Sequence, residues 1–204
     1  MKNKKVFRII LMFFLWITWA SQGFSFAKPT HRAINQNIAQ RNIKKFSLND
    51  YLMSELGFKK GVDEILRIDS NEKEVWWWLG EGGYKEDEPE GLLRYPTNTA
   101  RNNRHFHNPL KDWDKAGLST IVFTAESSVI WAQNPNQDVG GKWSWKDARD
   151  YFHKGLTATA KTERDSFFAK TFRALGQQMH LVQDASVPEH VRNDIHIIRA
   201  YEDY

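Results

Sequence analysis

One short segment of the chain is rich in side chains that bind metal ions. Residues 179–194, MHLVQDASVPEHVRND, contain His180, Asp184, His190 and Asn193. Imidazole nitrogens and carboxylate oxygens without any thiolate suit zinc, and such a set is typical of catalytic rather than structural sites. The segment therefore predicts a metal site. The alternative is a pair of hydrogen-bonded side chains on a helix surface.

The spacing of these residues determines how they can meet. His180 and Asp184 are four residues apart, so they share one face of a helix. Gly176, one turn before His180, leaves room for another group to approach that face. Pro188 should end the helix, because proline lacks an amide hydrogen and restricts the residue before it. His190 is then delivered from another direction, as a metal that needs ligands from several sides requires.

The rest of the chain also has helical patterns, and no alternating run is typical of a sheet. We expect Thr30, Ser47 and Ser144 to cap helices, and Gly57 to end one. The last long helix carries an apolar stripe formed by Phe168, Phe172, Leu175, Met179 and Val182. Helices are predicted over residues 31–40, 48–56, 70–83, 118–132, 144–156 and 162–186. The pattern predicts a single all-α domain with long loops over residues 80–117 and 133–143.

The N-terminal segment has the pattern of a secretory signal peptide. A basic head, MKNKKVFR, precedes the twelve-residue apolar run IILMFFLWITWA, which is too short for a typical membrane span. Small residues follow, so we expect cleavage after Gly23, Ser25 or Ala27; an uncleaved anchor is the alternative. Residues 1–25 are assigned to the signal and 26–204 to the domain, and the protein is expected to be exported, either secreted or periplasmic.

Removing this segment removes the excess positive charge. The chain has 29 basic and 25 acidic residues, and four of the basic residues lie in the first 23, which contain no acid. The remaining chain is formally neutral, so the basic pI does not indicate binding to nucleic acid. We expect transient contact with a membrane surface and no stable protein partner.

The segment that begins at His180 resembles the signature of the zinc-dependent phospholipase C family, which also contains single-strand-specific nucleases. That signature has a His, then an Asp four residues on, a Pro eight on, a His ten on and an Asn thirteen on. The matching residues are His180, Asp184, Pro188, His190 and Asn193.

Three upstream segments extend the resemblance over about residues 24–204. RHFHNPL has His105 in a ligand position, GGYKEDEPEG has Asp87, and FAKPTHRAI has His31. Members of the family usually begin the mature chain with Trp, whereas here Phe26 lies five residues before His31. That spacing is used by the nucleases and requires cleavage after the preceding serine.

The resemblance implies an all-helical domain that holds up to three zinc ions. Asp87, His105, His180 and Asp184 would hold one ion. Asp184 would bridge to a second ion, which His31 and the amino group and carbonyl of the first mature residue would also bind.

The third ion would be held by His190 together with His196 and Glu202. These last two residues are six apart, where the family usually has four. The chain stops at Tyr204, within a predicted helix and without a capping residue. We therefore expect a truncated sequence, with some binding residues beyond it.

The resemblance implies an exported zinc-dependent phosphodiester hydrolase with Asp87 and Asp184 as its catalytic residues. Two metal ions about 3.5–4 Å apart can hold a hydroxide that attacks phosphorus. A phospholipase C that releases a phosphorylated headgroup is favoured by export, neutral charge and a 14% aromatic content. The alternatives are a nuclease for single-stranded nucleic acid and a non-catalytic zinc-bound binding module.

Overall fold

The computed structural model describes residues 27–87, 101–121, 123–137 and 140–193. Within these ranges the chain is mostly helical and contains one two-stranded sheet. The α-helices are α1 (Lys28–Gln40), α2 (Leu48–Ser54), α3 (Val75–Glu86), α4 (Ser128–Trp131), α5 (Trp145–Thr157), α6 (Lys161–Asp184) and α7 (Pro188–Arg192). The strands are β1 (Ile65–Ile68) and β2 (Asn71–Glu74). Among the described residues, no helix is long and apolar enough to cross a bilayer.

The core forms where α3 lies between α1 and α6, while α5 and β1 pack on other parts of α6. Large apolar side chains fill this space, and their removal from water provides the main stabilisation of the fold. Its buried members include Leu52, Leu66, Val75, Trp78, Leu79, Phe168, Ala169 and Phe172. The long helix α6 therefore serves as the element on which the others are assembled.

The predicted apolar stripe of α6 is confirmed over most of its length. Phe168 and Phe172 are buried, and Leu175 and Met179 are partly buried against the same core. Val182 was expected to belong to the stripe, but it is 72% exposed. It borders an apolar groove instead of the core, so the stripe leaves the protein interior before the helix ends.

Two of the predicted helix caps are confirmed. The Ser47 side chain accepts a hydrogen bond from the backbone N–H of Asp50 at the start of α2. Ser144 and Asp147 form a reciprocal capping box at the start of α5. Both caps satisfy backbone donors that have no partner within the helix.

Proline residues lie in the first turn of the two helices that carry His31 and His190. The predicted cap at Thr30 is wrong, because α1 already begins at Lys28 and Pro29 lies in its first turn. The fixed φ angle of proline is suited to that position. The predicted break after α6 is confirmed: Val187 is extended and Pro188 begins a new short helix, α7.

The prediction of an all-α fold is wrong for residues 65–74, which form an antiparallel hairpin. The predicted helix over residues 70–83 begins only at Val75, and it continues through its glycines instead of ending there. Asp69 adopts a left-handed conformation in the turn, with φ of 55°. Because β2 is entirely polar, it has no apolar alternation from which a strand could be predicted.

The predicted helix over residues 118–132 is largely wrong, since among the residues described in that range only those of α4 are α-helical. Ser119 and Thr124 instead pair as an isolated antiparallel bridge. The region is rich in β-branched residues such as Thr120 and Ile121, which lose side-chain freedom in a helix and favour extended backbone.

Glycines allow α3 and α6 to approach each other closely. A Cβ atom on Gly176 would lie 2.1 Å from the carbonyl oxygen of Leu79, and one on Gly82 would lie 2.1 Å from that of Arg173. The predicted room beside Gly176 is therefore occupied by α3. This contact brings the C-terminal end of α3, with Asp87, alongside His180.

Replacing Gly176 with Ala should lower the free energy of unfolding by at least about 2 kcal/mol, because the new methyl group overlaps backbone atoms that cannot rotate away. Gly155→Ala is the matched control, since its nearest contacts are side-chain atoms of Phe168 at 3.1 Å. Chemical denaturation followed by circular dichroism measures both variants. A Gly176→Ala protein as stable as the control would contradict the close packing of α3 on α6.

Candidate metal centre

Six of the eight predicted ligand residues lie together in one buried cluster. They come from four helices and one loop: His31 from α1, Asp87 from the end of α3, His105 from the loop after residues 101–104, His180 and Asp184 from α6, and His190 from α7. His196 and Glu202 lie outside the described residues. Ligands that are far apart in sequence therefore converge from several directions.

Asp184 lies at the centre of this cluster. Its Oδ2 atom is 3.0 Å from Nδ1 of His105 and 3.2 Å from Nε2 of His180. Its Oδ1 atom is 3.5 Å from Nε2 of His31. The two oxygens thus face different histidines, as a carboxylate shared between two cations would require.

Asp87 completes the side of the cluster around Oδ2 of Asp184. Its Oδ1 atom lies 3.5 Å from Nδ1 of His105 and 3.6 Å from Nε2 of His180. Two ligands of one tetrahedral zinc, each about 2.0–2.1 Å from it, are about 3.3 Å apart. The observed separations fit that spacing, so these side chains can hold a metal ion.

Two possible sets of metal ligands share His180. The ligand atoms of His105, His180 and Asp184 lie within 4.8 Å of one another, as do those of His31, Asp87 and His180. The resemblance assigns His31 to a different ion from Asp87 and His180. The cluster is therefore compact enough for His180 to serve either group.

Several atoms of the cluster that could bind a metal make no well-aligned hydrogen bond to any described residue. On the side where a metal would lie, they are Oδ2 of Asp87, Nε2 of His180 and both carboxylate oxygens of Asp184. Burying polar atoms without partners costs free energy, about 1–3 kcal/mol for each group. A bound cation would supply the missing interactions, and this is the second indication that the cluster fits a metal.

The second nitrogen of two histidines is held by a backbone carbonyl. Nδ1 of His180 is 2.7 Å from the oxygen of Gly83, and Nδ1 of His190 is 3.1 Å from that of His105. A carbonyl oxygen can only accept, so each Nδ1 is the donor and the lone pair is on Nε2. Fixing the second nitrogen in this way orients metal-binding histidines in proteins.

A chain of amide groups performs the same task for His31. The Nδ2 atom of Asn35 donates to the carbonyl oxygens of Leu79 and Gly176, so its Oδ1 is the acceptor for Nε2 of Gln183 at 2.7 Å. Oε1 of Gln183 is then left facing Nδ1 of His31, at 2.7 Å. His31 must donate there, which leaves the lone pair on Nε2, facing Asp184.

Glu86 lies on the far side of His105 from Asp184. Its Oε1 atom is 3.7 Å from Nε2 of His105 and accepts a hydrogen bond from Nε1 of Trp131. Its Oε2 atom accepts from Nε of Arg101 at 2.8 Å. Burial would raise the pKa of Glu86, but the Arg101 guanidinium and the neighbouring histidines lower it to about 2. Glu86 is therefore an ionised carboxylate beside a ligand histidine.

The ionisable side chains of the cluster shift one another's pKa values. Burial opposes ionisation of His105, but Asp184 and Glu86 outweigh it and raise the pKa of His105 to about 10. Burial would raise the pKa of Asp184, but His180 and His105 hold it well below its usual value. Burial lowers the pKa of His31 to about 3. Without a metal, protons on histidine therefore balance the Asp184 carboxylate.

Asn193, the last residue of the sequence signature, has a structural role. It ends α7 in a left-handed conformation with φ of 59°, which asparagine tolerates better than most residues. Its Nδ2 atom donates to the carbonyl oxygens of Ala116 and Gly117. The backbone N–H of His107 also donates to the carbonyl of His190. These bonds fix α7, and with it His190, against the loop that carries His105.

Comparison of the sequence and structure with protein-family models, curated proteins and solved structures finds no significant match. The resemblance to zinc-dependent phospholipases C therefore stays a prediction from the sequence segments alone.

Replacing Gln183 with Leu should weaken zinc binding about 10–100-fold, because Nδ1 of His31 loses its acceptor and the ring loses its fixed orientation. Gln178→Leu is the matched control, since the Gln178 amide in the same helix donates to the carbonyl of Trp143, away from the cluster. Competition titration with a fluorescent zinc chelator measures both. Equal affinities in the two variants would contradict an orienting role for Gln183.

Metal binding should weaken as the pH falls, because zinc must displace the proton that His105 carries at neutral pH. The pKa of His105 without metal is about 10, so the proton is present throughout the accessible range and its removal becomes harder at lower pH. We expect the dissociation constant for zinc to rise at least about tenfold per pH unit as the pH falls from about 8 to about 6, because burial opposes ionisation of His180 but Asp184 and Asp87 raise its pKa too. Calorimetry in buffers of different ionisation enthalpy counts the released protons; zinc binding that releases none would contradict this charge balance.

Proposed function

We propose that this chain is an exported zinc-dependent phosphodiester hydrolase, and that its substrate is a phospholipid cleaved as by a phospholipase C. The observation that carries the proposal is the buried Asp184 carboxylate, which faces His105 and His180 with one oxygen and His31 with the other. This donor set matches the sequence signature and suits zinc in a catalytic site.

The proposed zinc ligands fall into two groups, one beside each carboxylate oxygen of Asp184. His105, His180 and Asp87 would hold one ion with Oδ2, and His31 would contribute to a second with Oδ1. His190, held behind the cluster by its bond to the His105 carbonyl, would contribute to a third. When bound, zinc supplies Lewis acidity that polarises phosphoryl oxygens and lowers the pKa of water.

The side chains would then direct the reaction. Oδ2 of Asp87 has no hydrogen-bond partner among the described residues, and burial raises the pKa of this carboxyl group. It would accept the proton of the attacking water as the new P–O bond forms. The bond from phosphorus to the glycerol oxygen breaks in line, and the leaving oxygen takes up the proton that Asp87 has accepted. Diacylglycerol and a phosphorylated headgroup are the products.

A lipid substrate is favoured over nucleic acid by the surface beside the cluster. An apolar groove between α1 and α6 is lined almost entirely by hydrocarbon and reaches Gln183, which hydrogen-bonds His31. Outside the first 23 residues the chain is formally neutral, so it lacks the general positive charge that single-stranded nucleic acid favours.

The test compares phosphocholine release from phosphatidylcholine with cleavage of single-stranded DNA by the same zinc-loaded protein. Asp184→Asn should lower lipid hydrolysis by more than about 100-fold, because even residues that only orient metal ligands typically contribute 10–100-fold. Asp150→Asn is the matched control, since Asp150 is an exposed residue of α5 that pairs with Lys154. The control should retain full activity, and a chelator should abolish it reversibly.

Three outcomes would overturn the proposal. DNA cleavage without lipid hydrolysis would make the chain a nuclease. Tight zinc binding without turnover of either substrate would make it a non-catalytic binding module. Lipid hydrolysis that survives in Asp184→Asn would separate the activity from this cluster.

A further inference from the structure

An apolar groove of about 420 Å³ lies between α1, α6 and the turn that follows α1. Its lining contains no charged side chain and includes Ile38, Ile43, Phe46, Trp145, Phe172, Met179 and Val182. Several of these large apolar residues are also exposed to solvent. A contiguous exposed apolar surface of this kind usually marks a binding site.

The turn over residues 41–46 forms one wall of this groove. The backbone groups of Ile43 and Phe46 hydrogen-bond to each other in both directions, at 2.9 and 3.0 Å, and Lys44 takes a left-handed conformation with φ of 55°. This tight turn holds Ile43, 47% exposed, and Phe46, 55% exposed, on either side of two lysines. The local backbone therefore presents apolar and basic side chains together.

The wall is positively charged although the chain outside the N-terminal segment is neutral. Residues 27–49 contain five basic residues and no acidic one. Arg41, Lys44 and Lys45 are exposed and make no ion pair with any described residue. Their charges are thus available to an anionic partner at the edge of the groove.

We propose that the turn over residues 41–46 and the adjoining groove form a docking surface for anionic phospholipid membranes. Ile43 and Phe46 enter the acyl region, Trp145 lies at the level of the headgroups, and Lys44 and Lys45 contact lipid phosphates. Amphipathic surfaces bind bilayers by this combination of apolar burial and attraction to anionic lipid. The groove reaches Gln183, so the surface adjoins the cluster to which the proposed function assigns lipid hydrolysis.

A second copy of the chain fits this surface less well. A symmetric dimer formed through the groove would bring the two basic turns towards each other, and like charges at an interface are unfavourable. Single-stranded nucleic acid would match the lysines but not the apolar lining.

Flotation with vesicles of phosphatidylcholine, with and without phosphatidylglycerol, tests this surface without requiring turnover. The inference extends the proposed function, but vesicle binding and hydrolysis can fail separately. The wild-type chain should float with the anionic vesicles. Lys44→Gln combined with Lys45→Gln should weaken partitioning about 30-fold, because each basic residue near an anionic surface contributes about fivefold.

Ile43→Ser combined with Phe46→Ser should abolish flotation, with circular dichroism and zinc content showing that the fold is intact. The matched control combines Leu110→Ser and Ile121→Ser, which removes two exposed apolar residues outside the groove. The control should float like the wild type.

The inference would be overturned by wild-type protein that does not float, or by loss of flotation in the control equal to that in the groove variants. It would also be overturned if the groove variants abolish a dimer seen by analytical ultracentrifugation while vesicles bind none of the proteins. Binding of single-stranded DNA through the two lysines, without binding to vesicles, would make the surface a nucleic-acid-binding site instead.

Discussion

The structure depends on the neutralisation of one buried carboxylate. Asp184 is inaccessible to water, and its oxygens make no well-aligned hydrogen bond to any described residue. A buried charge is tolerated only when opposite charge or a metal lies beside it, because desolvation costs several kcal/mol. His31, His105 and His180 surround this carboxylate, and either protons on the imidazoles or cations between them can balance it. Cations do so with better geometry, since the donors already have the spacing of ligands around one ion.

Holding three histidines around one carboxylate constrains the fold at a distance from it. The contact between Gly176 and α3 brings the carboxyl-terminal end of α3 against α6. Glu86 and Arg101 then form an internal ion pair behind His105, with both charged groups buried. Such pairs contribute little net stability, because the desolvation of both charges offsets their attraction. This pair is therefore better explained by the fixed position that it gives to Glu86 beside His105 than by stabilisation of the fold. The buried polar residues thus form the support of the cluster.

Much of the candidate site could be predicted from the sequence where the ligands are local. The four-residue spacing of His180 and Asp184 placed both on one helix face, and Pro188 placed His190 in a different helix. His31, His105 and Asp87 could be found only through the resemblance, because no local periodicity connects them to α6.

The groups that orient the ligands were missed for a related reason. Asn35 and Gln183 are 148 residues apart, and a hydrogen bond between them leaves no periodic pattern in the sequence. Their positions still carried a signal, since Gln183 is next to Asp184 and Asn35 lies one turn after His31. In the fold, the polar strand β2 escaped prediction because half-buried strands are recognised by apolar alternation, which it lacks.

The most direct measurement is an anomalous difference map, recorded at the zinc absorption edge, from crystals of the zinc-loaded protein. A metal centre organised by Asp184 predicts at least one strong peak about 2.0–2.1 Å from Nδ1 of His105, Nε2 of His180 and a carboxylate oxygen of Asp184. Crystals grown with excess zinc that show no peak in this cluster, with imidazolium groups still in contact with Asp184, would contradict it.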